Sequence, residues 1–407
     1  MTLTFAVYGD EEDLDAYRTL AQSYTRDHPQ VGIDVETAPD REASAEQVER
    51  EIDQGAGPDL FLADSADLPA LVLDRRVRPV DRLLEDRGVS FGDRYERLGL
   101  EAFAADSSLQ CMPNSVSPQV IFYNKRMLTA AVLTEPGQDR PPEPERSWSW
   151  EQFARAARLM STGDVKGVYV APDLTTMTSV LRSAGLDIVD DPQHPTTLTL
   201  SDPAARAAIH SVLSLARDRR VNLTAAQVRR RDPVTRFEDG RLAMMVGTRA
   251  LVPRLRQHPR LRFDVYPLPR LARFRTTADV TGYCLSRTSA HLDPAADFLA
   301  YATSDRGARI TADSGGIVPA NLAALKSAEF VQPTQLPRHS DVFSTVIRRA
   351  DTMPNPPGWS DVVSQTEPLL SRLFYARHPH RDRLLARIDR TSTGLLAGPT
   401  PSPSPSG

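Results

Sequence analysis

LQCMPNSVSPQVIFYNKRML, residues Leu109–Leu128, reads as a strand that stops and then restarts. Leu109 to Met112 is a short extended run, Pro113 interrupts a ladder by removing a backbone donor, and Val116 to Tyr123 resumes as a second run. A strand of this kind crosses from one folded body to another. Asn124 then offers a capping oxygen and Lys125 to Leu128 opens a helix, which anchors the crossing at its far end. Pro113 to Pro118 is the expected hinge.

The length fits such a crossing. A chain of 407 residues exceeds what one hydrophobic core usually serves, so two domains are expected. Apolar residues at 40% can fill real cores, and charged residues at 25% can cover a soluble surface. No apolar run approaches the roughly 20 residues that a membrane span needs. A net charge of -4 gives no electrostatic footprint for nucleic acid, and none is expected as a partner. Lys125, Lys166 and Lys326 are the only lysines, so nearly all the positive charge is arginine, a compositional bias. Cys111 and Cys284 make neither a metal-ligand cluster nor a CxxC pair, and neither metal nor cofactor is expected.

Met1 leads directly into the alternating run Thr2 to Tyr8, with no basic segment, apolar core or cleavage site ahead of it. The chain as written therefore carries no export signal: its start lies upstream, or its numbering begins at a mature form, or it stays in the cytoplasm. At the other end Gly398 to Gly407, GPTPSPSPSG, cannot bury a core and is expected to be a disordered tail.

The first lobe reads clearly. After the strand ending at Tyr8, the loop Gly9 to Glu12 leads into a helix with Leu14, Tyr17, Leu20, Ala21 and Tyr24 on one face, stopped by His28-Pro29. Val31, Ile33 and Val35 alternate as a second strand. Ser44 and Gln47 fit a capping box for the next helix, Gly55 suits its end, and Leu60 to Leu62 is a short buried strand. Strand, helix, strand, helix, strand predicts an α/β fold with a parallel sheet covered on both faces. Ligands bind such sheets beyond the carboxyl ends of the strands, which points to Tyr8 to Glu12 and to Asp64-Ser65. The acidic loop has a plainer reading, since Asp10 to Asp13 favour a helix amino terminus through its dipole. That account is taken for Glu12 and Asp13, while both readings stay open for Tyr8, Asp10 and Asp64.

Several motifs in order then resemble one family. They are Gly57-Pro58-Asp59-Leu60-Phe61, the crossing at Leu109–Leu128, Trp148-Ser149-Trp150-Glu151-Gln152-Phe153 at a helix start, Phe237 to Met244, Asp264 to Pro269, Gly316 to Ala320, and Trp359. Together they resemble the extracellular solute-binding proteins of ATP-binding cassette transporters, the family 1 group that includes maltose- and oligosaccharide-binding proteins. The resemblance runs from about residue 3 to 390. It implies a two-lobed periplasmic-binding-protein-like fold (type II), with a first lobe of residues 1–114 and 282–330 and a second of 118–278 and 335–392. It also implies a monomer in an extracytoplasmic, membrane-associated setting, which closes on a small polar ligand and delivers it to a permease. Closure would be a population shift, since a ligand touching both lobes favours the closed form.

By position, the resemblance assigns ligand contact to Tyr8, Asp10, Asp64, Asn114, Ser117, Thr176, Arg249, Thr281, Tyr283 and Trp359. Asn114 and Ser117 also suit ordinary turns beside Pro113 and Pro118. Tyr283 also suits a strand core, and Trp148 and Trp150 read as packing. Where many members have a stacking tryptophan after a glycine, this chain has Gly247-Thr248-Arg249, leaving Trp359 as the expected indole in the cleft. Arg249 is then either a surface arginine or a fork for an anionic group on the ligand. A carbohydrate is the expected ligand.

Two other functions are the alternatives. Catalysis lacks an HExxH, a P-loop, a GxSxG elbow or a dinucleotide fingerprint. Asp10 and Asp64 could act on a glycoside only if spaced correctly across the scissile bond. A cytosolic sequestering protein of the same fold is the other alternative. The family fold places Cys111 and Cys284 on first-lobe strands near the hinge, where free buried thiols are expected and a disulfide is the alternative in an oxidising compartment.

Overall fold

A computed structural model describes residues 1–134 and 148–396, so the expected tail at 398–407 lies outside the described residues. The chain forms two compact units, each assembled from three segments. Met1–Val120, Gly247–Val265 and Ala278–Thr352 make unit 1, and Ile121–Val246, Tyr266–Thr277 and Met353–Gly407 make unit 2.

Unit 1 begins with β1 (Thr2–Tyr8), α1 (Glu11–Asp27), β2 (Gly32–Ala38), α2 (Arg41–Asp53) and β3 (Leu60–Asp64). β1 pairs in parallel with both β2 and β3, as the strand-helix alternation predicts. The helical stripe of α1 is buried at Leu14, Tyr17, Leu20, Ala21 and Tyr24, and the helix stops at His28. α2 starts earlier than the capping box suggested: Asp40 accepts the Ala43 amide at 2.8 Å, and Ser44 is buried inside the helix. An aspartate closer to the end of β2 takes the cap that Ser44 was expected to supply.

The sheet of seven strands is completed by segments from far along the chain. The long strand Thr276–Ser286 runs antiparallel to β3 on one edge and to Cys111–Pro118 on the other. Cys111–Pro118 is one continuous strand, so Pro113 does not break it. Gly282 faces Pro113 while Thr281 faces Ser115, leaving Asn114 as an extra residue in a bulge. A bulge tolerates a proline, because the ladder already skips a residue there. The interruption comes at Gln119, and the next strand is Val120–Asn124. Passage to unit 2 falls between Val120 and Ile121, beyond the expected hinge at Pro113 to Pro118.

Cys111 and Cys284 face each other across this pair of strands and form a disulfide, both wholly buried. The expectation of free thiols is corrected: spacing along the chain could not reveal that the two positions share a register.

Residues 247–265 and 331–352 belong with unit 1, where the sequence reading placed most of them in the second lobe. Side-chain ties explain it. Arg249 donates to the Phe330 carbonyl and lies 4.2 Å from the Phe330 ring, while Arg256 Nε donates to the Leu336 carbonyl at 2.6 Å. Buried Asp264 accepts the His339 amide at 3.1 Å and faces its Nδ1 at 3.0 Å.

Unit 2 is built around an apolar cluster that includes Ile121, Trp148, Phe153, Leu181, Leu213, Leu370 and Leu385. Ser149 and Gln152 form a reciprocal capping box for the helix Trp150–Met160. Trp148 and Trp150 are both buried in the cluster, in agreement with their reading as packing.

Candidate functional site

Adjacent strand ends of unit 1 carry a polar rim. Tyr8 closes β1 and Asp64 closes β3. Thr281 lies in register with Asp64 on one side and with Ser115 on the other, and Ser117 faces Asp279. This is the carboxyl-end edge at which a parallel sheet receives ligands.

The rim has few internal partners. Asp64 accepts the Ala66 amide at 2.8 Å. Burial, with help from Asp279 and Asp67, pushes its carboxyl up to about 6, against the pull of that amide and of Arg41. Arg41, at the start of α2, forks onto Asp67 with Nη2 at 2.8 Å and Nε at 3.3 Å. The Tyr8 hydroxyl is buried with no hydrogen-bond partner, and burial followed by the charges of Asp64 and Asp67 holds its phenol protonated. Ser117 Oγ is likewise unpartnered. Asp10 stands at the N-cap of α1, yet its side chain makes no capping bond. Burial and then Glu12 raise its pKa, with Arg254 opposing. Its carboxylate is therefore not consumed by the helix.

Beneath the rim lies a sealed polar layer. Asn114, placed by the bulge, donates through Nδ2 to the Tyr17 hydroxyl at 3.3 Å. Tyr283 is 0% exposed, packs edge-on against Phe5 and Tyr17, and leaves its hydroxyl unpartnered. Asp13 is raised to about 6, first by burial, with Asp10 adding to it and with Ser314 and Arg249 opposing. A Cβ at Gly316 would stand 2.6 Å from Asp13 Oδ1, so glycine is what lets the carboxyl sit there. The sequence reading gave Asp13 to the helix dipole alone and missed this burial, for which helical spacing carried no signal.

Arg249 is also 0% exposed, neither the surface arginine nor the open fork that the sequence allowed. Its guanidinium is stacked on Phe330, and Nε and Nη1 have no partner. Burial first, and Arg256 second, lower its pKa to about 9, with Asp13 opposing. Arg249 and Tyr283 are thus interior groups behind the rim.

The remaining assigned residues belong to unit 2. Thr176 is half-buried in the first turn of the helix Leu174–Ala184, its amide bonded to Asp173 at 2.7 Å. Trp359 starts the helix Trp359–Tyr375 but is buried in the apolar cluster, so it offers no open stacking face. Half-buried Tyr169 belongs to the same unit. Burial, and then neighbouring Tyr375 and Asp173, raise its phenol, which places two tyrosines beside the carboxylate that caps the Thr176 helix. No sequence spacing joins Tyr169 to Tyr375, which arrives from a helix near the chain end. Among the described residues no group of side chains is arranged to hold a metal ion, and no helix is long and apolar enough to cross a membrane.

A mixed sheet whose parallel strands β1 and β3 end in underused polar groups is the frame of a ligand-binding α/β protein. The chain belongs to the bacterial extracellular solute-binding proteins, whose family model matches residues 19–338, in agreement with the motif resemblance. An ABC substrate-binding protein of Listeria monocytogenes, solved with cycloalternan, has a similar structure, with a TM-score of 0.84 at 16% identity over 97% of this chain and 99% of that one. The GacH receptor of Streptomyces glaucescens, solved unliganded and with acarbose, gives 0.81 at 19% identity over 98% and 99%. The sugar-binding protein MalE of Xanthomonas citri gives 0.80 at 14% identity over 98% of each chain. No curated protein matches the sequence.

Proposed function

We propose that this solute-binding protein captures a carbohydrate, without chemical conversion, and hands it to an ABC transporter permease. The observation that carries the reading is the rim of unit 1. The carboxylates of Asp64, which accepts one backbone amide, and of Asp10, which makes no capping bond, stand beside the buried, unpartnered hydroxyls of Tyr8 and Ser117 and beside Thr281, in register with Asp64. Sugar hydroxyls would satisfy them, and an ionised carboxylate makes the stronger, charge-assisted bond. Similar folds solved with cycloalternan and acarbose support a saccharide as the ligand class. Thr176 in unit 2, near Tyr169 and Asp173, is a separate candidate for ligand contact. Asn114, Tyr283 and Arg249 are assigned to holding the rim from behind.

A thermal-shift screen over oligosaccharides, amino sugars and anionic metabolites tests the proposal. A saccharide at about 100 times its Kd should stabilise the protein by about 2.7 kcal/mol. No response to any saccharide, with a clear response to another class, would reject the carbohydrate assignment. Turnover of a glycoside that Asp64→Asn abolishes would reject the absence of chemistry.

A further inference from the structure

We propose that unit 2 carries a basic surface, formed by Arg219, Arg220, Arg377 and Arg381 around Arg217, that docks on anionic phospholipid headgroups. Arg217 brings the groups together. It follows the helix Pro203–Ala216 and donates to the carbonyls of Leu373, Phe374 and Ala376 at the end of the helix Trp359–Tyr375. Lys166 Nζ binds the carbonyls of Arg219 and Arg220, fixing that turn from the other side. Arg381 and Arg219 lie close enough that, after burial, their charges are what lower the Arg217 pKa.

Arg217 has a structural task, as a cation closing helix carbonyls. The other four do not share it. Arg219, Arg220, Arg377 and Arg381 are exposed. Two carboxylates lie close by: Asp382 pairs with Arg206 at 3.5 Å, and Asp218 accepts the Arg220 amide at 2.9 Å while its charge faces Lys166, so the four exposed arginines remain in excess. Arg381 is the first residue of the helix Arg381–Leu396, where the helix dipole disfavours a cation. Helix stability therefore does not account for it, and the concentration of charge runs against a chain of net charge -4.

The partner follows from what the patch has and lacks. Guanidinium groups match phosphodiester oxygens through paired N–H donors. The exposed large apolar residues among the described ones are Met1, Leu73 and Val246, and none belongs to the patch. The patch lacks the apolar and aromatic centre common at protein interfaces, whereas a polybasic surface holds to anionic lipid by charge alone. Membership of an extracellular family places the surface where the phosphates of a membrane face can be met.

Co-flotation with vesicles tests this on the full chain. Vesicles with about one third phosphatidylglycerol should carry the protein at low salt, while pure phosphatidylcholine should not, and roughly 0.3 M salt should release it. Reversing the patch (R219E, R220E, R377E, R381E) should cut partitioning at least tenfold with the sugar response unchanged, and the four arginine-to-lysine changes should preserve most of it. The salt titration of the unaltered protein serves as a second measurement if the reversed variant folds poorly. Absence of flotation at low salt, flotation indifferent to salt or to reversal, or capture by an acidic polypeptide with vesicles ignored would each overturn the proposal. A lost sugar response in the unaltered protein would count against the proposed function instead, leaving the vesicle result to be judged separately.

Discussion

At the residue scale, two half-buried carboxyls set the expected pH behaviour. Asp13 and Asp64 are each raised to about 6 from an ordinary 3.8, mainly by burial. Between those values the folded chain holds a proton that the unfolded chain has lost, so folding takes up protons and stability falls as pH rises through that window. Removing the partly buried Asp13 charge should therefore stabilise the protein at pH 7. Asp13→Asn is expected to gain about 2 kcal/mol or less and to flatten the slope of Tm between about pH 4 and pH 6, as read by calorimetry. Ligand binding should run the other way at Asp64. Its ionised form is the acceptor, so affinity should fall as pH drops below about 6, and Asp64→Asn should lose roughly tenfold or more at pH 7 in a calorimetric titration. An Asp64→Asn protein that binds as tightly as the original would remove Asp64 from the site.

At the element scale, the bulge at Asn114 does two jobs. It aims the amide at Tyr17, and it absorbs Pro113 within a strand that would otherwise be broken. The facing Gly282 has no room for a side chain, since a Cβ there would approach the Phe103 ring to 2.6 Å and the Met112 carbonyl to 3.0 Å. Gly282→Ala is expected to cost about 1–3 kcal/mol by forcing Phe103 or the strand to shift, checked by denaturant unfolding. The sequence made β1 to β3 and both intervening helices readable because their periodicity is local. The bulge, the disulfide and the stacking of Arg249 on Phe330 were not readable, because each depends on register between segments separated by 81 to 173 residues. The same limit applies at the site. Tyr8, Asp10 and Asp64 were visible as strand-end residues, whereas burial alone separates the rim from interior Arg249 and Tyr283.

At the scale of the whole molecule, neither unit is a continuous piece of chain. Unit 1 needs the part of the strand Thr276–Ser286 from Ala278 onward between β3 and Cys111–Pro118, so a fragment ending at Val120 lacks an inner strand of its own sheet. Such a fragment is expected to show no cooperative unfolding transition by circular dichroism. The disulfide also acts at this scale. It closes a separation of 173 residues, for which the chain-entropy model gives about 5 kcal/mol at most, and a Cys111→Ala, Cys284→Ala chain should lose stability up to that amount. Thiol titration of the denatured, unreduced protein should recover neither cysteine.

The same bond imposes an order of events. All of the segments Ile121–Val246 and Tyr266–Thr277 lie between its two cysteines. Cys111 therefore waits for its partner until the chain has been made as far as residue 284, by which time most of unit 2 already exists. Unit 1 thus begins the chain, yet its disulfide can close only once the strand carrying Cys284 has been made.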